Sequence, residues 1–185
     1  MHRVKQNRQS INPLAPPEYA HGVVIPYQGR TFPLAIQTTK AKQLTIKLLA
    51  EQQFVAFVPE SLDQHTSDKI RAALTHYMKQ QARRMALELI EKHCQTHNLL
   101  PRNLRIKTQK SRWGSCGPKN DINLNWLLVL APPLILEYVV VHELCHIKHK
   151  NHSKEFWSLV ADHMPNFLQH RHWLKQHGAH LMQGL

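Results

Sequence analysis

The stretch VHELCHIKHKNH, from Val141 to His152, places four histidines and one glutamate within twelve positions. Within it, His142, Glu143 and His146 form an H-E-x-x-H motif. On an α-helix, residues four apart lie on the same face, so the imidazoles of His142 and His146 can converge on one metal ion. Glu143 would lie on the rim of that face, where its carboxylate can accept a proton from a water molecule at the ion. The motif therefore predicts a metal site with Glu143 as the catalytic base.

A third histidine follows at a distance that suits the same ion. His152 lies six residues after His146, just beyond Asn151, where the chain can turn back. Three protein ligands and a water molecule are the usual arrangement of a catalytic zinc site. The predicted Zn2+ ligands are therefore His142, His146 and His152, and Glu155 is the alternative third ligand.

A simpler alternative is that these histidines only cover the exposed end of a helix, in a chain that contains 15 histidines. The preceding run LILEYVVV, residues 134–141, argues against this, because it predicts a helix that is buried on nearly all sides. Burying imidazoles there without partners would be costly. For His149, between the second and third predicted ligands, a supporting or surface role is predicted rather than ligation.

The composition is that of a globular domain with a large positive charge. The chain has 185 residues, of which 42% are hydrophobic, so it can form a packed core. Its 24 Lys and Arg residues exceed its 12 Asp and Glu residues, and the net charge of +12 favours an anionic partner such as nucleic acid, a nucleotide or an acidic protein. Few cysteines, no apolar leader and no apolar run of membrane length predict a cytoplasmic protein that does not enter a membrane.

The hydrophobic pattern along the chain predicts an α+β fold. Residues 1–20, rich in proline, are predicted to be a flexible tail, and residues 21–62 an N-terminal antiparallel β portion of four short, mostly antiparallel strands. A long helix is predicted from about residue 66 to 97, followed by a strand LRIKTQK at residues 104–110. The segment SRWGSCG is predicted to be a turn and INLNW a short return strand, and three helices, the first opening at Pro132, complete the chain.

A basic segment without acidic residues lies between Glu91 and Asp121. Arg105, Lys107 and Arg112 in this segment are the predicted substrate-binding residues, because a positive groove beside the metal would attract an acidic substrate or nucleic acid. LRIKTQK is the predicted edge strand to which an extended substrate could add. The alternative, that basic residues on an exposed edge strand only prevent aggregation, stays open.

The stretch HELCHIKHKNHSKEFW, with SRWGSC and INLNW before it, resembles the YgjP-like metal-dependent hydrolases, a group of zincin-type metallopeptidase domains. More distantly it is similar to the SprT and WLM peptidases. The resemblance implies a zincin-like catalytic domain over residues 63–185 with a helical C-terminal half, a bound Zn2+ and peptidase activity on a peptide or protein substrate. It also implies His142, His146 and His152 as the zinc ligands and Glu143 as the general base.

Two other functions remain as alternatives to a metallopeptidase. In the first, the metal centre hydrolyses a nucleotide phosphoanhydride, which would suit the positive charge of the chain. In the second, the protein is a basic nucleic-acid-binding module whose zinc is structural. A structural zinc site has four protein ligands, and the sequence offers three evident ones, which counts against the second alternative.

Overall fold

The computed structural model describes residues 15–62 and 66–185, which form seven strands and four helices and confirm the predicted α+β fold. The strands are β1 (Val24–Tyr27), β2 (Arg30–Thr39), β3 (Thr45–Leu49), β4 (Gln53–Pro59), β5 (Asn103–Lys107), β6 (Gly114–Cys116) and β7 (Asp121–Asn125). The helices are α1 (Thr66–His97), α2 (Pro133–Lys148), α3 (Lys154–His163) and α4 (Phe167–Leu181). Most of the predicted tail, residues 1–14, lies outside the described residues. Tyr19 at its end is buried, and its backbone N–H donates to Oγ of Ser67 at 2.8 Å.

The N-terminal strands form a four-stranded sheet in the order β1–β2–β4–β3. The predicted antiparallel pairing holds for β1 with β2 and for β3 with β4, but β2 and β4 are parallel. β4 takes an inner position because most of its side chains are buried, among them Phe54, Val55 and Ala56. β3 has no buried side chain and lies at the edge. The β3–β4 hairpin thus places its inner strand beside β2, which makes that pair parallel.

A second sheet has three strands in the order β5–β7–β6. β7 is central, with Ile122 and Leu124 almost completely buried, while β5 contacts α1 and β6 contacts α2. β6 lies within the segment that the sequence predicts as a turn. Gly114 and Gly117 disfavour a strand by propensity, and only the pairing with β7 reveals this one. β5 is an edge strand, as predicted, but the edge that faces α2 is β6.

The helices complete a core that is shared by both sheets. The buried stripe of α1 recurs every four residues and consists of Ile70, Leu74, Met78, Ala82, Ala86 and Ile90. α2 is buried on nearly all sides, as residues 134–141 predict, and α3 and α4 pack against it. Buried residues from both sheets and all four helices belong to one hydrophobic cluster. No helix in the residues that the structure describes combines the length and apolarity needed to cross a membrane.

One polar cluster links α1 to α2. Oε1 of Glu137 on α2 accepts hydrogen bonds from Nζ of Lys92 at 2.7 Å and from Nε2 of His93 at 2.8 Å. The side chains of His93 and Glu137 are 7% and 12% exposed, whereas that of Lys92 is 62% exposed. Burial raises the pKa of Glu137, but the hydrogen bonds and charges of Lys92 and His93 outweigh it, so that the pKa lies below its ordinary value of 4.5.

Glu137→Gln should lower the free energy of unfolding at pH 7 by about 1–3 kcal/mol, the cost of weakening a hydrogen bond to a buried charged group. Because the native pKa of Glu137 is lowered, the stabilisation is complete above about pH 4.5 and is lost as the pH falls through the native value. Denaturant unfolding at pH 7 and in acid would measure both effects. Glu88→Gln, which removes an exposed pair with Arg84, is the control and should change stability by less than about 0.5 kcal/mol. Equal effects of the two substitutions at pH 7 would contradict the prediction.

Candidate metal centre

Three histidine side chains converge where α2 ends. His142 and His146 lie on its last two turns, and His152 lies in the short connection to α3. Nε2 of His142 is 3.2 Å from Nε2 of His146 and 3.1 Å from Nε2 of His152. One ring nitrogen from each residue therefore belongs to a group whose members all lie within 4.8 Å of one another.

The spacing of these nitrogens fits a divalent metal ion. In a tetrahedral site with metal–nitrogen distances of about 2.0–2.1 Å, two ligand nitrogens lie about 3.3 Å apart. Nδ1 of His146 lies 2.9 Å from the backbone carbonyl oxygen of His149, to which it donates, and this leaves its Nε2 free of a proton. Among the described residues the group contains three donors, so a fourth coordination position would be left for water or substrate.

The start of α3 brings the third histidine back toward α2. Ser153 caps this helix, since its side chain accepts a hydrogen bond from the backbone N–H of Phe156 at 3.4 Å. The buried ring of Phe156 stacks on His146 at a centroid distance of 4.5 Å, and Trp157 stacks on His152 at 5.5 Å. These packed rings restrict rotation of the imidazoles, so α3 helps to hold the three nitrogens in place.

Burial keeps the imidazoles of His142 and His146 neutral. It lowers the pKa of His142 to about 3, with further lowering by the charges of His146, His152 and Arg171. It also lowers the pKa of His146, although the hydrogen bond to the carbonyl of His149 acts in the opposite direction. The neutral imidazole is the form that binds metal ions, so an ion can bind at neutral pH without first displacing protons from these two rings.

The carboxyl group of Glu143 lies beside the histidines and the residue is 5% exposed. Burial raises the pKa of Glu143 to about 8, while the charge of Arg112 and a backbone hydrogen bond from Cys116 act in the opposite direction. Oε2 of Glu143 has no hydrogen-bond partner within residues 15–62 and 66–185. A buried oxygen of this kind is costly to leave unpaired, and it is available to a water molecule or a substrate.

Gly114, the first residue of β6, is in direct contact with this carboxyl group. A Cβ atom at position 114 would lie 2.5 Å from Oε1 and 2.8 Å from Cγ of Glu143, which is closer than real Cβ atoms approach. Any larger residue at position 114 would therefore force the side chain of Glu143 or the strand β6 to shift. From the sequence, Gly114 indicates only a turn. The close approach of β6 to α2 is a tertiary contact, and no local sequence pattern reveals it.

With Glu143 as the predicted general base, Gly114→Ala should lower the kcat for hydrolysis by about 10- to 100-fold, since displacement of a catalytic group by about 1 Å is enough for a loss of this size. Overpacking should also lower the free energy of unfolding by about 1–3 kcal/mol, with bound metal retained. Gly117→Ala is the matched control, because a Cβ there would lie 3.6 Å from the backbone oxygen of Asp121, an ordinary contact. Steady-state kinetics of the two variants would test this, and full activity of Gly114→Ala would show that Glu143 does not act from this position.

The site opens into a pocket of about 300 Å³ that is lined by the three histidines, Glu143, the residues of β6 and Lys150. The sequence reasoning missed Lys150. Its Nζ donates to Oδ1 of Asn120 at 2.8 Å, a neutral partner that does not compensate the positive charge. The available signal was its position two residues before His152, in the turn that carries the third histidine.

The structure separates the three predicted substrate-binding residues. Arg105 and Lys107 lie on β5, at the edge of the second sheet away from β6, and neither lines the pocket. Arg112 lies just before β6, is exposed, and acts electrostatically on the carboxyl of Glu143. Of the three, Arg112 alone is brought near the site. The edge strand beside the site is β6, not the predicted strand at 104–110, because β7 lies between them.

The other possible metal ligands near the motif either lie outside the metal pocket or are in a protonation state that disfavours metal binding. His149 and Glu155 line a separate cleft of about 530 Å³ and do not belong to the group of three donors. Cys116 lines the metal pocket, but burial raises the pKa of its thiol and so disfavours the thiolate that binds metals. Burial likewise raises the pKa of Cys145, to about 12.

Similarity to known proteins extends over most of the chain. A UTP pyrophosphatase of Escherichia coli (strain K12) is 34% identical to it over 85 residues, which are 43% of this chain and 51% of that protein. The chain thus spans about half the length of this curated relative. The family model described as YgjP-like, metallopeptidase domain, matches residues 1–177, which confirms the resemblance carried by the HELCHIKHKNHSKEFW stretch. With three converging histidines beside a buried carboxyl group, the chain belongs to the YgjP-like family of metal-dependent hydrolases.

Proposed function

We propose that this protein is a zinc-dependent hydrolase in which His142, His146 and His152 hold the ion and Glu143 is the general base. The observation that carries the proposal is the convergence of three Nε2 atoms, at 3.1 and 3.2 Å from the central one, next to a buried carboxyl group. Three imidazoles with an open fourth position are typical of catalytic zinc sites. The open fourth coordination position also counts against a nucleic-acid-binding module with a purely structural zinc, which would have four protein ligands.

The residues of the site would have separate roles in hydrolysis. A zinc ion bound there would supply Lewis acidity, which lowers the pKa of water to about 7 and polarises the bond to be cleaved. Glu143 would remove the proton of the attacking water through Oε2, its unpartnered oxygen, and return it to the leaving group. Burial raises the pKa of this carboxyl to about 8, and a cation held by the neighbouring imidazoles would bring it back down into the range of a base.

A peptide is one candidate substrate, and the family description supports it. β6 is an edge strand beside His142 and Glu143, and an extended peptide could add to it by backbone hydrogen bonds. β6 is only three residues long, however, so it offers few such bonds.

A nucleotide phosphoanhydride is the other candidate substrate, and two observations favour it over a peptide. Lys150 lines the pocket with a positive charge that its neutral partner Asn120 does not compensate, and Arg112 lies near Glu143. Cations of this kind stabilise the charge of transferring phosphoryl groups. The relative from Escherichia coli also bears the name UTP pyrophosphatase. We therefore place phosphoanhydride hydrolysis first and peptide hydrolysis second.

The test is a substrate panel of UTP, ATP, casein and a peptide mixture, assayed with zinc-loaded protein and with protein stripped by a chelator. We expect hydrolysis of a nucleoside triphosphate that stops when the metal is stripped and returns when zinc is added. Phosphorus NMR would identify the products. Zinc-dependent cleavage of peptides without turnover of nucleotides would reverse the order of the two substrates. Failure of the loaded protein on every member of the panel would contradict the proposed activity.

A further inference from the structure

A second cavity, of about 210 Å³, adjoins the metal pocket and has a different character. The two spaces share Gly114, His142 and Glu143. The metal pocket continues toward Lys150, while the second cavity is walled by Trp113, Tyr138 and Leu174. We call this second space the side cavity. A molecule that reacts at the shared residues can therefore extend into a charged space, an aromatic and apolar space, or both.

The aromatic walls of the side cavity are fixed by the fold. The indole of Trp113 lies against α4, where a Cβ added at Gly178 would be 3.3 Å from the ring. The backbone carbonyl of Trp113 also accepts a hydrogen bond from the N–H of Asn125 at 2.8 Å. Tyr138 is buried on α2, one turn before His142, with 6.0 Å between the two ring centroids. A cavity with preformed aromatic walls binds a flat ring with little reorganisation.

We propose that the side cavity binds the base of a nucleoside triphosphate whose phosphates occupy the metal pocket beside Lys150. The inference rests on the proposed function and adds to it a place for the part of the substrate that does not react. Aromatic side chains stack on any of the nucleobases. Lys150, which lines the metal pocket, can pair with the phosphates, and Arg112 adds positive charge near Glu143. Only a substrate with an anionic end and a flat apolar end uses the chemistry of both spaces at once.

The test compares two ligands that differ only by the nucleoside, UTP and inorganic triphosphate. Their dissociation constants are measured by calorimetry on zinc-loaded protein carrying Glu143→Gln, so that the ligands are not consumed. Leu174→Trp is then added to fill the side cavity. We expect it to weaken UTP binding about five- to a hundredfold, the range set by base stacking, and to leave triphosphate binding within about twofold. Leu168→Trp, at a residue of the same helix that is 61% exposed, is the matched control and should change neither constant.

Unchanged UTP binding in Leu174→Trp, or equal weakening of both ligands, would overturn the inference, as would the absence of saturable UTP binding to the parent protein. Hydrolysis of UTP by a Leu174→Trp variant that retains Glu143, together with unchanged UTP affinity in the Glu143→Gln background, would leave the proposed function intact and remove only the role of the side cavity. Zinc content and thermal unfolding establish that the variant is folded. If it is not, Leu174→Phe fills less of the cavity and carries the same expectations in direction.

Discussion

Glu143→Gln should reduce kcat at least about a hundredfold while the protein keeps its zinc, because general acid–base catalysis contributes about 10²–10⁴ to hydrolytic rates. Glutamine has nearly the same shape as glutamate, but its side-chain amide cannot take up the proton of the attacking water. The three converging donors are ring nitrogens of His142, His146 and His152, and the carboxyl group of Glu143 is not among them. Its loss should therefore leave metal binding intact. Turnover of UTP and elemental analysis of zinc per chain, made on the same preparation, would measure both parts.

The matched control for this substitution is Glu155→Gln. Glu155 is an exposed carboxylate on the first turn of α3 and lines the separate cleft of about 530 Å³, so its replacement should leave kcat unchanged within about twofold. Retained activity in Glu143→Gln would remove the general base from the mechanism. Loss of zinc together with activity would instead show that the carboxyl group supports the ion directly.

The convergence of the three histidines could be predicted because its geometry is local. His142 and His146 are four residues apart in a run that is apolar enough to be a buried helix, so helical periodicity alone places them on one face. His152 required one further step, a turn at Asn151, and the structure supplies it with Ser153 as the cap of α3. Both steps rest on short-range rules that a sequence displays directly.

The surroundings of the metal centre could not be predicted because they depend on contacts between distant segments. β6 exists by pairing with β7, and it reaches Glu143 only because Gly114 has no side chain. The charges of Arg105 and Lys107 favour a substrate-binding role, but the strand order β5–β7–β6 places both residues at the edge of the sheet away from β6 and the metal pocket. The prediction of mostly antiparallel strands did not include the parallel pairing of β2 with β4, because pairing within the β3–β4 hairpin does not show which of its strands lies beside β2. The nearly continuous apolar run of β4 was the signal for its inner position.

His152→Ala should lower the affinity for zinc by more than about a hundredfold, because loss of a residue that merely supports a metal ligand already costs about 10- to 100-fold. Nε2 of His152 is 3.1 Å from Nε2 of His142, so its removal leaves two imidazoles four residues apart on one helix. Chelator competition would give the affinity of each protein, and elemental analysis would give zinc per chain after dialysis. The protein should be prepared without a nickel column, since imidazole ligands bind several divalent ions.

His149→Ala is the control that separates ligation from a general effect of histidine loss. The side chain of His149 lines the separate cleft, and the contact that it makes with His146 uses its backbone carbonyl, which alanine retains. Zinc affinity should therefore change little in this variant. Equal zinc in His152→Ala and the wild type would mean that the third ligand is misassigned, and Glu155 would then be the next residue to replace. Loss of zinc in His152→Ala but not in His149→Ala would mean that the return of the chain after α2, rather than the abundance of histidine, creates the site.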